Sequence, residues 1–367
     1  MTAVQEGTGV VPVQRAPFNA ETPLAALADP ITSVFQFYVR NHFEVPAIDP
    51  FGWRLVLDGA VARPLALTLD ALRADSPQTL VVTMECAGNG RSALTPRPAG
   101  VPWRLGAVGT ASFTGVPLRK VLDRAGLARE AVEVVFVGAD RGRVADGREE
   151  AYARSLPIDV AMHPDTLLAW AMGGEPLTPE HGAPLRLVVP QWYGMASVKW
   201  LARITVVTRP FAGFFQRNHY RYLMPGHALD GAPVTKIRVR SVIASPADGA
   251  VLPLDEIEIG GTAWSGAGAV SAVAVSTDDG RSWADAELGL ALSPYSATPW
   301  RLRWCPPAPG EYVLVARATD EAGHVQPLAP MWNQQGYGNN SVHRVRVTVR
   351  DAGSPEPEAT PRSAPSA

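Results

Sequence analysis

Residues 81–92 read VVTMECAGNGRS, an apolar, β-rich run that delivers Cys86 directly into a glycine-rich turn. A strand end is a rigid platform for a reactive group. Gly88 and Gly90 let backbone N–H groups come close to an anion, and Arg91 adds a fixed positive charge just beyond them. Such surroundings favour a thiolate. A lone cysteine is more often a small buried hydrophobe, so the context has to argue for more. A thiolate nucleophile wants a histidine to take its proton, and none lies in this segment. A soft-metal ligand needs no such base, which makes metal ligation the first expectation and a nucleophile served by a base elsewhere in the chain the alternative.

Around this segment, from Phe51 to about Lys199, short β-rich runs (LVLDGAV, TLVVTME, VEVVFVGAD, LRLVVP) alternate with short helical stretches (LTLDALRA, PLRKVLDRAGL). This predicts a mixed α+β domain over residues 31–232. After Pro233 the character changes. KIRVRSVIASP, EIEIGGTAW, AVAVSTDDG, RLRW, EYVLVARATD and HRVRVTVR alternate in hydropathy and are separated by Gly, Pro and Asp turns. Strands so spaced, with no helical period, predict an immunoglobulin-like β-sandwich over residues 233–350. Residues 1–30, rich in Pro, Ala and Thr, read as an arm draped over a surface and carrying little chemistry. The Pro-, Ser-, Ala- and Glu-rich tail at 351–367 is expected to be disordered.

The bulk numbers agree with a two-domain globular protein: 367 residues, 46% hydrophobic and 19% charged. The formal net charge is -2, from 33 basic and 35 acidic residues. Without a long basic run, nucleic acid is not an expected partner. Two cysteines, Cys86 and Cys305, are too few for a disulfide scaffold or a four-thiolate metal site. Cys305, in WCPPAPG, reads as structural. No signal peptide, twin-arginine signal or membrane-length apolar run is present. The chain reads as soluble and, as given, cytoplasmic, with a periplasmic or exported form left open.

The string MECAGNGRS resembles the molybdenum-binding loop of the sulfite oxidase family, and the resemblance continues in order along nearly the whole chain. FYVRNHFEVP (37–46) is similar to that family's N-terminal cofactor segment, WRLGAVGTASFTGVPLRKVL (103–122) to its next block, and PLTPEHGAPLRLVVPQWYGMASVKWL (176–201) to its pterin-binding block. GTAWSG, VSTDDGRSW and MWNQQGYGNNSVHRV are similar to its dimerisation domain. The resemblance implies a molybdenum held by two dithiolene sulfurs of a pterin and by the Cys86 thiolate, a donor set that suits a soft, high-valent site. It implies that Asn41, His42, Asp140, His181, Arg186, Ser197, Val198 and Lys199 bind the pterin and its phosphate, Asp140 by accepting from pterin N–H groups. It also implies a homodimer paired through the sandwich.

For substrate, the resemblance implies sulfite, a small dianion that bidentate, permanently charged arginines can extract from water. Arg40 and Arg91 match the family's anion-pocket arginines, Tyr220 its active-site tyrosine, and Trp103 its pocket-wall tryptophan, here two residues nearer the cysteine than in the animal enzymes. Three positions depart from the pattern. Gly90, Ala196 and Gln335 stand where animal and plant relatives carry arginine, which reduces the expected cationic charge and opens the door to weaker sulfite binding or another substrate. The implied reaction is oxidation of sulfite to sulfate. Its electrons leave to an external acceptor (cytochrome c-like, another molecule, or dioxygen), since no CxxCH haem-attachment motif occurs. Two competing readings are a molybdenum reductase of S-oxides or small oxyanions such as nitrate, and a non-enzymatic interaction protein working through its immunoglobulin-like module.

Overall fold

The computed structural model describes residues 9–351. The first eight residues of the expected arm, and the expected tail apart from Asp351, lie outside the described residues.

The run that opens at Gln78 forms an eight-residue strand ending at Glu85, with its last four residues buried. It pairs antiparallel along its whole length with Val108–Pro117, which pairs in turn with Leu167–Met172, and Arg186–Val188 also joins that strand. The second sheet runs in the order Leu65–Leu67, Leu55–Gly59, Leu201–Val207, Glu133–Arg143, Glu149–Pro157. One pair in it, Leu201–Val207 with Leu55–Gly59, is parallel.

Helices are few and short. Leu118–Ala125 places Leu118, Val121, Leu122 and Ala125 on one buried face, at the three-and-four spacing of an amphipathic helix, and stops at Gly126 with φ 70. Leu69–Arg73 begins where the Thr68 hydroxyl accepts from the Ala71 N–H at 3.0 Å. The mixed α+β architecture is therefore as expected, built chiefly of strands.

Beyond residue 239 the described chain forms a four-stranded and a five-stranded sheet packed face to face. In His343–Arg350 the residues Val345, Val347 and Val349 are buried while Arg344 and Arg346 point out, the period of two that the sequence shows. Those valines meet Ile259, Val273, Trp300 and Leu314 in one core, a β-sandwich.

Two expectations change. Residues before 31 do more than drape: Val11–Gln14 and Asn19–Glu21 form a hairpin whose Ala20 bridges to Val39. Asn19 and Thr22 are buried where their side-chain oxygens serve the chain at 38–41, and the buried Glu21 carboxylate accepts from the Arg104 N–H and guanidinium. The Thr22 hydroxyl accepts from the Tyr38 N–H at 3.0 Å and the Asn19 carboxamide from the Asn41 N–H at 2.8 Å. Cys305 follows the strand Thr298–Trp304 but is exposed, so no packing role attaches to it.

Candidate active site

Cys86 leaves the end of its strand with both backbone groups paired. Its N–H donates to the Ala107 carbonyl at 2.8 Å, and its carbonyl accepts from the Asn89 N–H at 2.9 Å. Gly90, at φ 80, turns the chain in a conformation that disfavours any side chain. The thiol is free and buried. Burial raises its pKa, against which Arg40, the Gly88 N–H and Arg91 pull down. The thiolate-favouring surroundings anticipated from sequence are present, but burial outweighs them; a bound cation would reverse the balance.

Cys86 opens on a cleft enclosing about 630 Å³ of non-atom space, part of it open to solvent. Phe37, Tyr38, Arg40 and His42 come from one segment, Asp140 and Tyr152 from neighbouring strands of the second sheet, and His181, Arg186, Ser197, Lys199 and Tyr220 from later in the chain. His42 and Tyr220 share a hydrogen bond of 2.6 Å, and the His42 ring stacks on Tyr152 at 4.3 Å. Two bulky residues of the lining hold left-handed backbone, Trp200 at φ 49 and Tyr220 at φ 55, the kind of strain that collects at functional sites.

The cleft is cationic and poor in partners. Arg186 is buried and donates only to neutral acceptors, the His181 and Ser197 carbonyls at 3.1 and 3.4 Å and the Met84 sulfur at 3.1 Å, leaving its Nε unpartnered. Burial pushes its pKa down to about 10. Lys199 donates to the Asn41 side chain and to the Glu180 carbonyl, the latter at 2.7 Å, and burial holds its pKa well below the usual lysine value. Burial, reinforced by neighbouring cations, lowers His42 and takes His181 down to about 3, so both rings are neutral. Burial pushes Asp140 up to about 6 against the pull of Lys199, and its Oδ1 has no partner. One unpartnered buried donor, on Arg186, and one unpartnered buried acceptor, on Asp140, in the lining of a single cleft suit a ligand that both donates and accepts and carries negative charge. The thiol, the carboxyl acceptor of Asp140 and the cationic cluster thus fit a molybdenum–pterin phosphate.

Nine residues singled out by sequence line the cleft together: Arg40, His42, Cys86, Asp140, His181, Arg186, Ser197, Lys199 and Tyr220. Asn41 and Val198 are buried beside it, Asn41 under Lys199 and Val198 with its carbonyl accepting from the Leu187 N–H at 2.8 Å. Arg91 and Trp103 are not on the lining. Arg91 donates to the Val101 carbonyl at 2.8 Å and the Gln335 carbonyl at 3.1 Å, and lies over the Tyr337 ring, which stacks on Tyr220 at 5.0 Å. Two carbonyl acceptors thus turn its guanidinium away from the cleft. Trp103 is fully buried in the cluster that holds Phe37, Met84 and Cys86, its indole N–H without an acceptor. Sequence reasoning did not single out Tyr38, Met84, Glu180 and Trp200, although they lie within the motif strings, and it missed Tyr152, which lies in none and reaches the cleft only through folding.

Residues 42–215 match the oxidoreductase molybdopterin binding domain, and residues 232–350 match the Mo-co oxidoreductase dimerisation domain. Sulfite oxidase of Arabidopsis thaliana is 33% identical over 366 residues, covering 91% of this chain and 93% of that protein. The chain belongs to the sulfite oxidase family. Mitochondrial sulfite oxidase of Mus musculus, another member, is 38% identical over 356 residues, and the match covers 91% of this chain but 64% of that protein, so the chain spans under two thirds of its length. Among solved structures, the sulfane dehydrogenase SoxCD of Paracoccus pantotrophus superposes with a TM-score of 0.80 at 29% identity, over 94% of this chain and 86% of that one. Family membership matches the cleft to a molybdopterin-binding domain and the sandwich to a dimerisation domain. Among the described residues no helix is long and apolar enough to cross a membrane.

Proposed function

We propose that the chain oxidises sulfite to sulfate at a pterin-held molybdenum ligated by Cys86, passing the electrons to an external acceptor. The observation that carries this reading is the solitary free thiol opening on a cleft whose buried Arg186 and Asp140 both keep unpartnered polar atoms. In this reading Asp140 accepts from pterin N–H groups. Arg186, Lys199, His42 and His181 donate to the pterin and its phosphate, with Asn41, Ser197 and Val198 shaping the wall. When bound, the molybdenum–pterin group supplies oxygen-atom transfer and takes up the two electrons that leave sulfur. The balance is sulfite plus water to sulfate, two protons and two electrons.

The protein's own contribution is placement and charge. Arg40, held by its hydrogen bonds to Asn19 and the Asn41 carbonyl, offers a fixed cation near Cys86 for the incoming dianion. Tyr220, its hydroxyl fixed by neutral His42, offers a neutral donor. Arg91 and Trp103 act from behind, Arg91 by its field on Cys86 and its contact with Tyr337, Trp103 by packing in the cluster that holds Phe37, Met84 and Cys86. We further propose residues 31–232 as the catalytic unit and 233–350 as the unit through which a homodimer forms. Turnover with sulfite and ferricyanide tests the reaction. A molybdenum-loaded preparation that reduces methionine sulfoxide with reduced viologen but leaves sulfite untouched contradicts it. A second reading, a larger sulfane substrate, is supported by the likeness to SoxCD and by Arg91, Ala196 and Gln335 adding no cation to the lining. A sulfane compound turning over faster than sulfite would favour it.

A further inference from the structure

The turn that carries Cys86 is gripped from the sandwich. Glu85, the residue before the cysteine, forms an ion pair with Arg240 at 2.8 Å, and both side chains are 2% exposed. The same carboxylate oxygen accepts from the Asn89 side-chain amide at 2.9 Å, and the other oxygen accepts from the Trp264 indole N–H at 2.9 Å. Arg240 and Trp264 stand opposite each other on adjacent strands of the sandwich, so the two donors arrive as one cross-strand pair. Arg240 also donates to the Asn89 carbonyl at 3.3 Å, and Asn89 in turn ties down the Cys86 carbonyl and the Ala107 N–H. Gly338 N–H on the Ala87 carbonyl and the Asn339 amide on the Gly90 carbonyl, both at 2.8 Å, complete the grip.

Burying two charges costs several kcal/mol per ion in desolvation, and a well-packed apolar pair would often serve stability as well or better. Stability alone therefore does not account for an ion pair at this place. What an apolar pair would lack is a donor to the Asn89 carbonyl and an acceptor for the Asn89 amide and the Trp264 indole, the contacts that orient Asn89 under the thiol. Groups behind a metal ligand orient it and tune the metal.

We propose that Arg240 is a positioning residue for the metal ligand: reaching across from the sandwich, it neutralises Glu85 and, through Asn89, fixes the Cys86 turn. This rests on the reading of Cys86 as the molybdenum ligand. The sandwich thus sets the field at the metal as well as serving as a dimerisation domain. The two charges act in opposite directions. Arg240→Met leaves a bare carboxylate beside the ligand and lowers the metal's reduction potential, Glu85→Gln leaves a bare guanidinium and raises it, and the double variant returns toward the parent. Arg240→Met turnover falls roughly 10–100-fold, the usual loss when a ligand's supporting group is removed, and Arg240→Lys recovers part of it.

The test is a redox titration of each molybdenum-loaded variant, followed by EPR of the metal in its paramagnetic state, with thermal unfolding alongside. Opposite potential shifts with an altered EPR spectrum support the proposal. Reduced melting temperatures with the parent's potential and spectrum overturn it and leave a purely structural pair. Where Arg240→Met does not fold, Glu85→Gln and Arg240→Lys carry the test, and an unmoved potential in Glu85→Gln overturns it. A parent preparation free of molybdenum overturns this proposal together with the reading beneath it, whereas a loaded parent with unmoved variants overturns this proposal alone.

Discussion

Arg186→Met separates cofactor binding from folding. Arg186 is buried, faces only the two carbonyls and the Met84 sulfur, and keeps its Nε unpartnered. Burial lowers its proton affinity to a pKa of about 10, more than two powers of ten, which is roughly 3 kcal/mol held against the charged form. Since the folded-state pKa still lies well above neutrality, that cost is complete at pH 7 and eases only as pH rises through about 10. A phosphate group in the cleft would recover it through charge-assisted hydrogen bonds. Replacing Arg186 with methionine, a side chain of similar length, removes both the cost and the recovery. Affinity for the cofactor should fall by about two orders of magnitude, while the cofactor-free protein is no less stable than the parent and gains up to about 3 kcal/mol, less what the lost contacts to the His181 and Ser197 carbonyls and the Met84 sulfur contributed. Metal analysis after gel filtration reads the first quantity and urea unfolding of cofactor-free protein the second. Full molybdenum content in the variant, or a loss of stability above about 3 kcal/mol, would refute the reasoning, the latter by making Arg186 a residue that holds the fold.

The Asp140→Asn variant tests the buried acceptor. A folded-state pKa raised to about 6, above the unfolded value, means stability of the cofactor-free protein that is fully present below about pH 4 and lost as pH rises through 6. The loss should be roughly 2–3 kcal/mol, and Asp140→Asn should flatten it in unfolding titrations at pH 4.5 and 7.5; equal slopes count against the assignment. Gly90→Ala forces a side chain into φ 80 and places its Cβ at 2.6 Å from an Arg240 nitrogen, so unfolding should show a loss of at least about 1–3 kcal/mol, and a parent-like melting temperature is the contrary result. Tyr220→Phe removes the hydroxyl shared with His42 and should lower kcat/KM for sulfite by roughly 10–100-fold, as loss of a hydrogen bond to a charged group does. An unchanged kcat/KM would remove Tyr220 from substrate contact.

Much of the fold was legible because its signals are local. The strand Gln78–Glu85, the helix Leu118–Ala125 and the alternation of His343–Arg350 each announce themselves by period and by the residues that end them. Most of the cleft was legible through motifs in sequence order, among which Arg40, Cys86, Asp140 and Lys199 meet in the folded chain. Three things were not. Arg91 follows the cysteine closely in sequence, yet its direction is set by the Val101 and Gln335 carbonyls, the latter from the far end of the chain. The arm looked idle because Asn19 and Thr22 carry no motif; their role exists only where the segment at 38–41 passes beneath them. The grip of Arg240 and Trp264 on Glu85 joins residues more than 150 positions apart, and a long-range pairing of single side chains leaves no periodic trace.

X-ray absorption at the molybdenum edge on parent and Cys86→Ser protein tests the central claim most directly, because it counts sulfur neighbours at the metal. If Cys86 is the protein ligand, the variant shows one sulfur fewer than the parent and one more light scatterer in its place. The same sulfur count in both would mean that Cys86 does not bind the metal, and the assignment of the cleft would fall with it.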